Sequence, residues 1–171
     1  MKIDKYLEWD QRLMLLINKR LRHKRLDALM AIITYLGSWQ FSVAFCILAF
    51  LFYGTSFNSL GSKLTLTLMA SGFITQLIKR LVSRLRPFHT MKELHIRKIG
   101  IDAYSFPSGH TCAAFSMGVM VFMFSHRLGI ISLPLSFLVG ISRIYLGVHF
   151  PSDVFVGAFI GSISSVLIYY I

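Results

Sequence analysis

Apolar residues in this chain come in long blocks divided by short polar stretches. Five blocks reach or approach the roughly 20 residues that a membrane-crossing helix requires. They run from about Ala28 to Tyr53, Leu64 to Val82, His110 to Ser125, Leu128 to Leu146, and Pro151 to Ile171. Gly37-Ser38 predicts a kink or break inside the first block. Ser108 suits the cap of the third, and Pro151 the first turn of the fifth, where its missing N–H costs nothing. The arm before the first block is different. Its apolar residues Leu7, Leu13, Met14, Ile17 and Leu21 recur at helical spacing with Lys and Arg between them. This predicts an amphipathic helix, either lying on the bilayer or packed against the rest of the protein. Its charges are too evenly spread for a signal peptide.

The expected organisation is therefore a basic amphipathic segment over residues 1–26 and a membrane domain over 27–171. The fold class is all-α, a polytopic bundle of about five transmembrane helices plus the N-terminal helix. Counting crossings brings the end of the second block, the start of the third and the junction of the fourth and fifth to one face. With five spans, the N-terminus shares that face.

Composition supports this reading. Hydrophobic residues make up 55% of the 171 and charged residues 15%, which argues against a soluble globule. A net charge of +11 in a soluble protein would suggest nucleic acid. Here the charges lie between apolar blocks, as in loops at a membrane surface, so no nucleic-acid partner is expected. Cys46 and Cys112 both fall inside apolar blocks and form neither a disulfide framework nor a metal-ligand spacing.

Three polar clusters fall on the shared face. The first is Lys79 to Pro87, in which Lys79 and Arg86 are seven apart and so on one side of a helix. Arg80 and Arg84 read as interface anchors. The second is Pro107-Ser108-Gly109-His110, a helix start whose backbone N–H groups suit an anion. The third runs from Ser142 to Asp153. Arg143 sits inside an apolar block, where an ionisable residue is costly and usually functional. His149 precedes Asp153 by four, close enough for the carboxylate to orient the imidazole. Together, Lys79, Arg86 and Arg143 supply cations, and Ser108 and the Gly109 N–H supply neutral donors. Such a set suits a phosphate or similar oxyanion. Of two histidines, one can attack phosphorus and the other can protonate the leaving oxygen. His23, His89, His95 and His126 read as surface or interface residues, and Trp39 and Tyr53 as part of an aromatic belt.

The order Lys, six residues, Arg-Pro; Pro-Ser-Gly-His; Ser-Arg, five residues, His, three residues, Asp resembles the type 2 phosphatidic acid phosphatase superfamily, which also contains vanadium-dependent haloperoxidases. The resemblance implies that Lys79, Arg86, Arg143, Ser108 and Gly109 bind the phosphoryl group. It implies His149 as nucleophile through a phosphohistidine, Asp153 as its orienting carboxylate and His110 as general acid. The implied activity is metal-independent and without a cofactor: hydrolysis of a phosphomonoester or pyrophosphate of a membrane lipid. Candidate substrates are phosphatidylglycerophosphate, phosphatidic acid and undecaprenyl pyrophosphate. A lipid phosphotransferase is the alternative, and a vanadate-dependent haloperoxidase a remote one. The expected partners are a lipid phosphate and the bilayer, and the expected location is the cell membrane, crossed several times. Eight Lys and Arg residues up to Arg25 favour a cytoplasmic N-terminus, and with it a cytoplasmic site. The family resemblance favours an extracytoplasmic site, and that is the orientation expected here.

Overall fold

The computed structural model describes residues 2–171, with side chains from residue 8 onward. Met1 and the side chain of Leu7, a member of the predicted amphipathic stripe, lie outside the described residues. The elements in order are α1 (Lys2–Leu15), which continues through a π-helical turn at Leu16–Arg20, then α2 (Lys24–Thr34), a 3₁₀ turn at Tyr35–Gly37, and α3 (Trp39–Tyr53). They are followed by α4 (Leu60–Val82), the short α5 (Pro87–Thr90), α6 (Gly109–Phe124), α7 (His126–Tyr145) and α8 (Pro151–Tyr169). No strand occurs among the described residues.

Local chemistry sets several of the boundaries. Ser38, Ser59, Ser108 and Ser125 each accept a hydrogen bond from the backbone N–H three residues on, the usual service of an N-cap serine. The predicted break at Gly37-Ser38 is present: Ser38 starts a new helix, and α2 and α3 meet at 55°. α4 starts at Leu60 rather than near residue 64, because Ser59 caps it.

The bundle reverses the polarity of a soluble fold. Along α4 the buried residues Lys63, Thr67, Ser71, Thr75 and Lys79 recur every four residues, forming a polar stripe on the inner face. The outer face of the same helix carries exposed Leu66, Met69, Phe73, Leu77 and Leu81. An apolar surface of this extent suits lipid rather than water. By length and apolarity α7 and α8 can each cross a membrane, and the bent pair α2–α3 makes a third candidate. α4 is long enough, with 23 residues, but its inner stripe lowers its apolarity. α6 is apolar, but its 16 residues reach only about 24 Å.

α6 lies at the centre and packs on α4, α7 and α8. Its contact with α8 depends on small residues four apart: Gly157, Gly161 and Ser165. A Cβ at Gly157 would lie 2.5 Å from the Ser108 carbonyl oxygen, and one at Gly161 would strike that of Cys112. Ser165 donates to the Ser116 carbonyl at 2.8 Å, and the Ser71 and Ser116 hydroxyls meet at 3.0 Å. Backbones this close gain dispersion and interhelical hydrogen bonds, the forces that hold helices together in lipid.

α1 also packs on the bundle. Its buried stripe is Asp10, Met14 and Asn18, while Leu21 of the predicted apolar stripe is exposed. Asn18 donates to the carbonyls of His95 and Tyr145 and accepts from the His95 N–H. These bonds hold the arm against the same end of the bundle that carries the three polar clusters.

Gly161→Leu is expected to force α6 and α8 apart and destabilise the protein by about 1–3 kcal/mol. Thermal unfolding in detergent, compared with Gly161→Ala as the milder case, measures this.

Candidate active site

The site lies where α4 ends, α6 begins and α7 turns into α8. The last turn of α4 carries Lys79. Ser83 then closes the helix in the left-handed region (φ 49°), which turns the chain back across the end of the bundle. Arg86 follows at the N-terminus of α5, with Pro87 in its first turn.

The three cations of the sequence analysis converge, and the loop 100–104 occupies each of them. Lys79 Nζ donates to both carboxylate oxygens of Asp102 at 2.9 and 2.8 Å, and to the Tyr104 carbonyl at 3.2 Å. Arg86 donates through Nη2 to Asp102 Oδ1 at 2.7 Å and through Nε to the Asp102 carbonyl at 2.9 Å. Its Nη1 reaches the Val148 carbonyl at 2.8 Å. Arg143, fully buried, donates to Thr34 Oγ1 at 2.7 Å and to the Gly100 carbonyl at 3.1 Å, while its Nε has no partner. Gly100 has φ +53°, and a Cβ there would lie 2.5 Å from Cε1 of His110, so a side chain cannot be accommodated between this loop and that imidazole. Burial acts to raise the Asp102 carboxyl, but the ion pairs with Lys79 and Arg86 outweigh it, and the group lies below the usual carboxylate range.

Sequence reasoning missed Asp102. Its signal was scarcity: the chain has only seven acidic residues, and after Glu93 the only ones are Asp102 and Asp153.

α6 contributes its N-terminus. Ser108 is buried, and its hydroxyl accepts from the Thr111 N–H at 3.4 Å and the Thr111 hydroxyl at 2.9 Å. Its N–H donates to the Asp153 carbonyl at 2.9 Å, which joins the start of α6 to the start of α8. Gly109 and His110 face the cavity, and a Cβ built on Gly109 would meet nothing within 4 Å.

His149 lies in the turn between α7 and α8, with its Nε2 3.2 Å from Arg86 Nη1. Its Nδ1 is buried, has no hydrogen-bond partner and faces Asp153 Oδ2 at 3.6 Å. Burial first, and then the charges of Arg143, Arg86 and Lys79, holds this imidazole well below the usual histidine range, and therefore neutral. Asp153 is fully buried. Its Oδ2 accepts the Phe150 N–H at 2.8 Å, and its Oδ1 accepts from Arg84 Nη1 at 2.7 Å.

Arg84 differs from its expected role as an interface anchor. The guanidinium turns inward, stacks over the Phe150 ring at 4.1 Å and pairs with both Asp153 and Asp10. The left-handed turn at Ser83 redirects it, and a helical projection continued past α4 could not show this. Arg80, by contrast, is exposed, as are His23, His89, His95 and His126.

A cavity of about 760 Å³ opens from this cluster and extends between α3, α4 and α6. Lys79, Arg86, Asp102, His110 and His149 line one end. Val43, Ile47, Leu68 and Met69 line the other. Trp39, the first residue of α3, stands beside the helix break and also lines the cavity.

The Asp102 carboxylate is a built-in competitor for any anion that seeks Lys79 and Arg86. Asp102→Asn is expected to tighten binding of inorganic phosphate roughly three- to tenfold, because more of the protein has both cations available. Calorimetric titration of the two proteins with phosphate at pH 7 measures the difference.

Comparison with known proteins places this geometry. Aquifex aeolicus LpxE has the same fold, with a TM-score of 0.84 and 32% identity over 94% of each chain. The transmembrane PAP2-type phosphatidylglycerolphosphate phosphatase of Bacillus subtilis aligns with a TM-score of 0.81 and 25% identity, covering 96% of this chain and 84% of that one. In sequence, the bacitracin transport permease protein BcrC of Bacillus licheniformis is 42% identical over 89 residues, 52% of this chain and 43% of that one. This chain thus spans about half the length of such sequence relatives. Residues 60–171, which hold all three motifs, match the model of the PAP2 superfamily. The chain is a membrane protein that belongs to the PAP2 superfamily.

Proposed function

We propose that this protein is a lipid phosphatase embedded in the cell membrane, which hydrolyses a phosphomonoester or pyrophosphate at the membrane surface through a phosphohistidine. The observation that carries the reading is the two-ended cavity. The buried cations Lys79 and Arg86 and two imidazoles line one end, with buried Arg143 behind the Gly100 carbonyl, and apolar side chains line the other. A lipid phosphate has the same division of chemistry.

In this mechanism the phosphoryl oxygens displace the loop 100–104 contacts and take up Lys79, Arg86 and Arg143, with the Gly109 N–H as a further donor. Ser108 serves through the helix start that it caps. The neutral His149 attacks phosphorus through Nε2 as the bond to the lipid oxygen breaks. His110 supplies the proton that the leaving oxygen needs. Asp153, which stays ionised, accepts a hydrogen bond from Nδ1–H and so stabilises the positive imidazole of the phosphohistidine, which requires the 3.6 Å gap to close by less than 1 Å. His110 then takes a proton from water as its oxygen attacks phosphorus, and phosphate leaves. The cations neutralise charge in a site already removed from water, where fixed charges act strongly.

The substrate is a lipid phosphate of the phosphatidylglycerophosphate, phosphatidic acid or undecaprenyl pyrophosphate type. His149→Ala is expected to abolish phosphate release from every member of that panel, and the wild-type protein is expected to work in excess EDTA. Release of inorganic phosphate from purified lipids in detergent tests both. Turnover by His149→Ala, or a strict Mg²⁺ requirement, would defeat the mechanism.

We further propose five crossings, with the site on the extracytoplasmic face. Lys79, Arg84, Arg86 and Arg143 are committed to the site and carry little weight as orientation signals. Single cysteines at Ser83 and at Asn58, near opposite ends of α4, are expected to react with an impermeant thiol reagent from outside and from inside respectively. The reverse pattern would place the site in the cytoplasm.

A further inference from the structure

Asp10 lies on the N-terminal helix, outside every motif that defines the family, yet it is buried against the candidate site. Its Oδ1 accepts the Ser152 N–H at 2.9 Å, and Ser152 Oγ bonds to its Oδ2. The same Oδ2 accepts from Arg84 Nη2 at 2.7 Å. The other terminal nitrogen of Arg84 donates to Asp153 Oδ1 at 2.7 Å and to Ser152 Oγ at 2.7 Å. One guanidinium is therefore divided between two carboxylates that come from opposite ends of the sequence. Of these, Asp153 is the carboxylate that faces His149.

The division has an electrostatic consequence. An arginine that faced Asp153 alone would neutralise its charge and leave less of it to stabilise a positive imidazole. Asp10 draws part of that guanidinium charge to itself. It also fixes the plane of the guanidinium, because Arg84 can satisfy both carboxylates only in this orientation. We propose that Asp10 is a positioning residue for the reaction, which acts through Arg84 to set how much of the Asp153 charge is available to His149. The N-terminal helix is thereby part of the catalytic apparatus as well as a surface element. This inference rests on the phosphohistidine reading given above.

The test is steady-state phosphate release from the panel lipid that the wild-type protein turns over fastest, for Asp10→Asn, Arg84→Gln and the double variant. Asp10→Asn is expected to lower kcat roughly 10- to 100-fold, the usual effect of removing a partner behind a functional imidazole. KM is expected to stay within about twofold, since Asp10 touches no substrate and substrate binding does not use it. The double variant is expected to be no slower than Arg84→Gln, because the path from Asp10 runs through that side chain. An unchanged kcat in Asp10→Asn overturns the proposal. So does a double variant whose losses multiply, since Asp10 would then act by docking α1 alone. If Asp10→Asn does not fold, Arg84→Lys keeps the charge but cannot reach both carboxylates, and it is expected to lower kcat at unchanged KM. Normal kcat in that variant overturns the proposal equally. Wild-type protein that is active and is silenced by His149→Ala, but indifferent to Asp10→Asn, leaves the phosphatase reading intact and removes only this one. Wild-type protein that releases no phosphate from the panel removes both.

Discussion

Lys79, Arg86 and Arg143 are cations held almost entirely out of water, and much of the architecture follows from the need to keep them there. A buried charge without partners costs several kcal/mol, so each must find oxygen atoms inside the protein. Helix carbonyls are committed to their own ladders, and α2 contributes only the Thr34 hydroxyl, to Arg143. The other oxygens come from irregular backbone and a loop carboxylate: Gly100, Asp102 and Tyr104, with Val148 from the turn before α8. The long polar segment between α4 and α6 is thus a folded part of the site.

The second constraint is the reversal of polarity. Serine, threonine and glycine line the inner faces of α4 and α8 toward the central α6, and large apolar residues cover their outer faces. Small inner residues bring the helices close together. Close helices in turn bring Ser108 and Asp153 into backbone contact and set the starts of α6 and α8 side by side. The helix packing and the site geometry are consequently one problem.

Much of this was legible in the sequence. The block pattern located the helices, the Ser108 and Pro151 signals located two of their starts, and Gly37-Ser38 located the break in the first block. Counting crossings brought Lys79, Arg86, His110, Arg143, His149 and Asp153 to one face, and the structure gathers them at one end of the bundle, although Lys79 and Arg86 do not share a helix, since α4 ends at Val82. Residues whose neighbours come from distant segments were not legible. Arg84 looked like a surface anchor because its direction depends on one left-handed residue, Ser83. Asp102 and Asp10 lie in no periodic pattern that marks a site. Their positions are set by which cations lack a partner, a property of the assembled bundle. In the stripe of α1, hydrophobicity found Met14 and Ile17, which pack inward, but not Asp10 and Asn18, which hydrogen bonding selects, and it wrongly included Leu21, which is exposed.

The bend between α2 and α3 sets one wall of the cavity at an angle to the rest of the bundle. Val43, Ile47 and Met69 line the cavity and are also more than half exposed on the outer surface, so the cavity opens sideways between α3 and α4. A ligand that uses this opening arrives within the plane of the bilayer. The concentration that governs its encounter with the site is then a surface density, a number of molecules per unit area of membrane. Doubling the surrounding lipid would halve that density while leaving the amount per volume of solution unchanged. For a protein with this doorway, the composition of the membrane acts on the rate as directly as the quantity of substrate does.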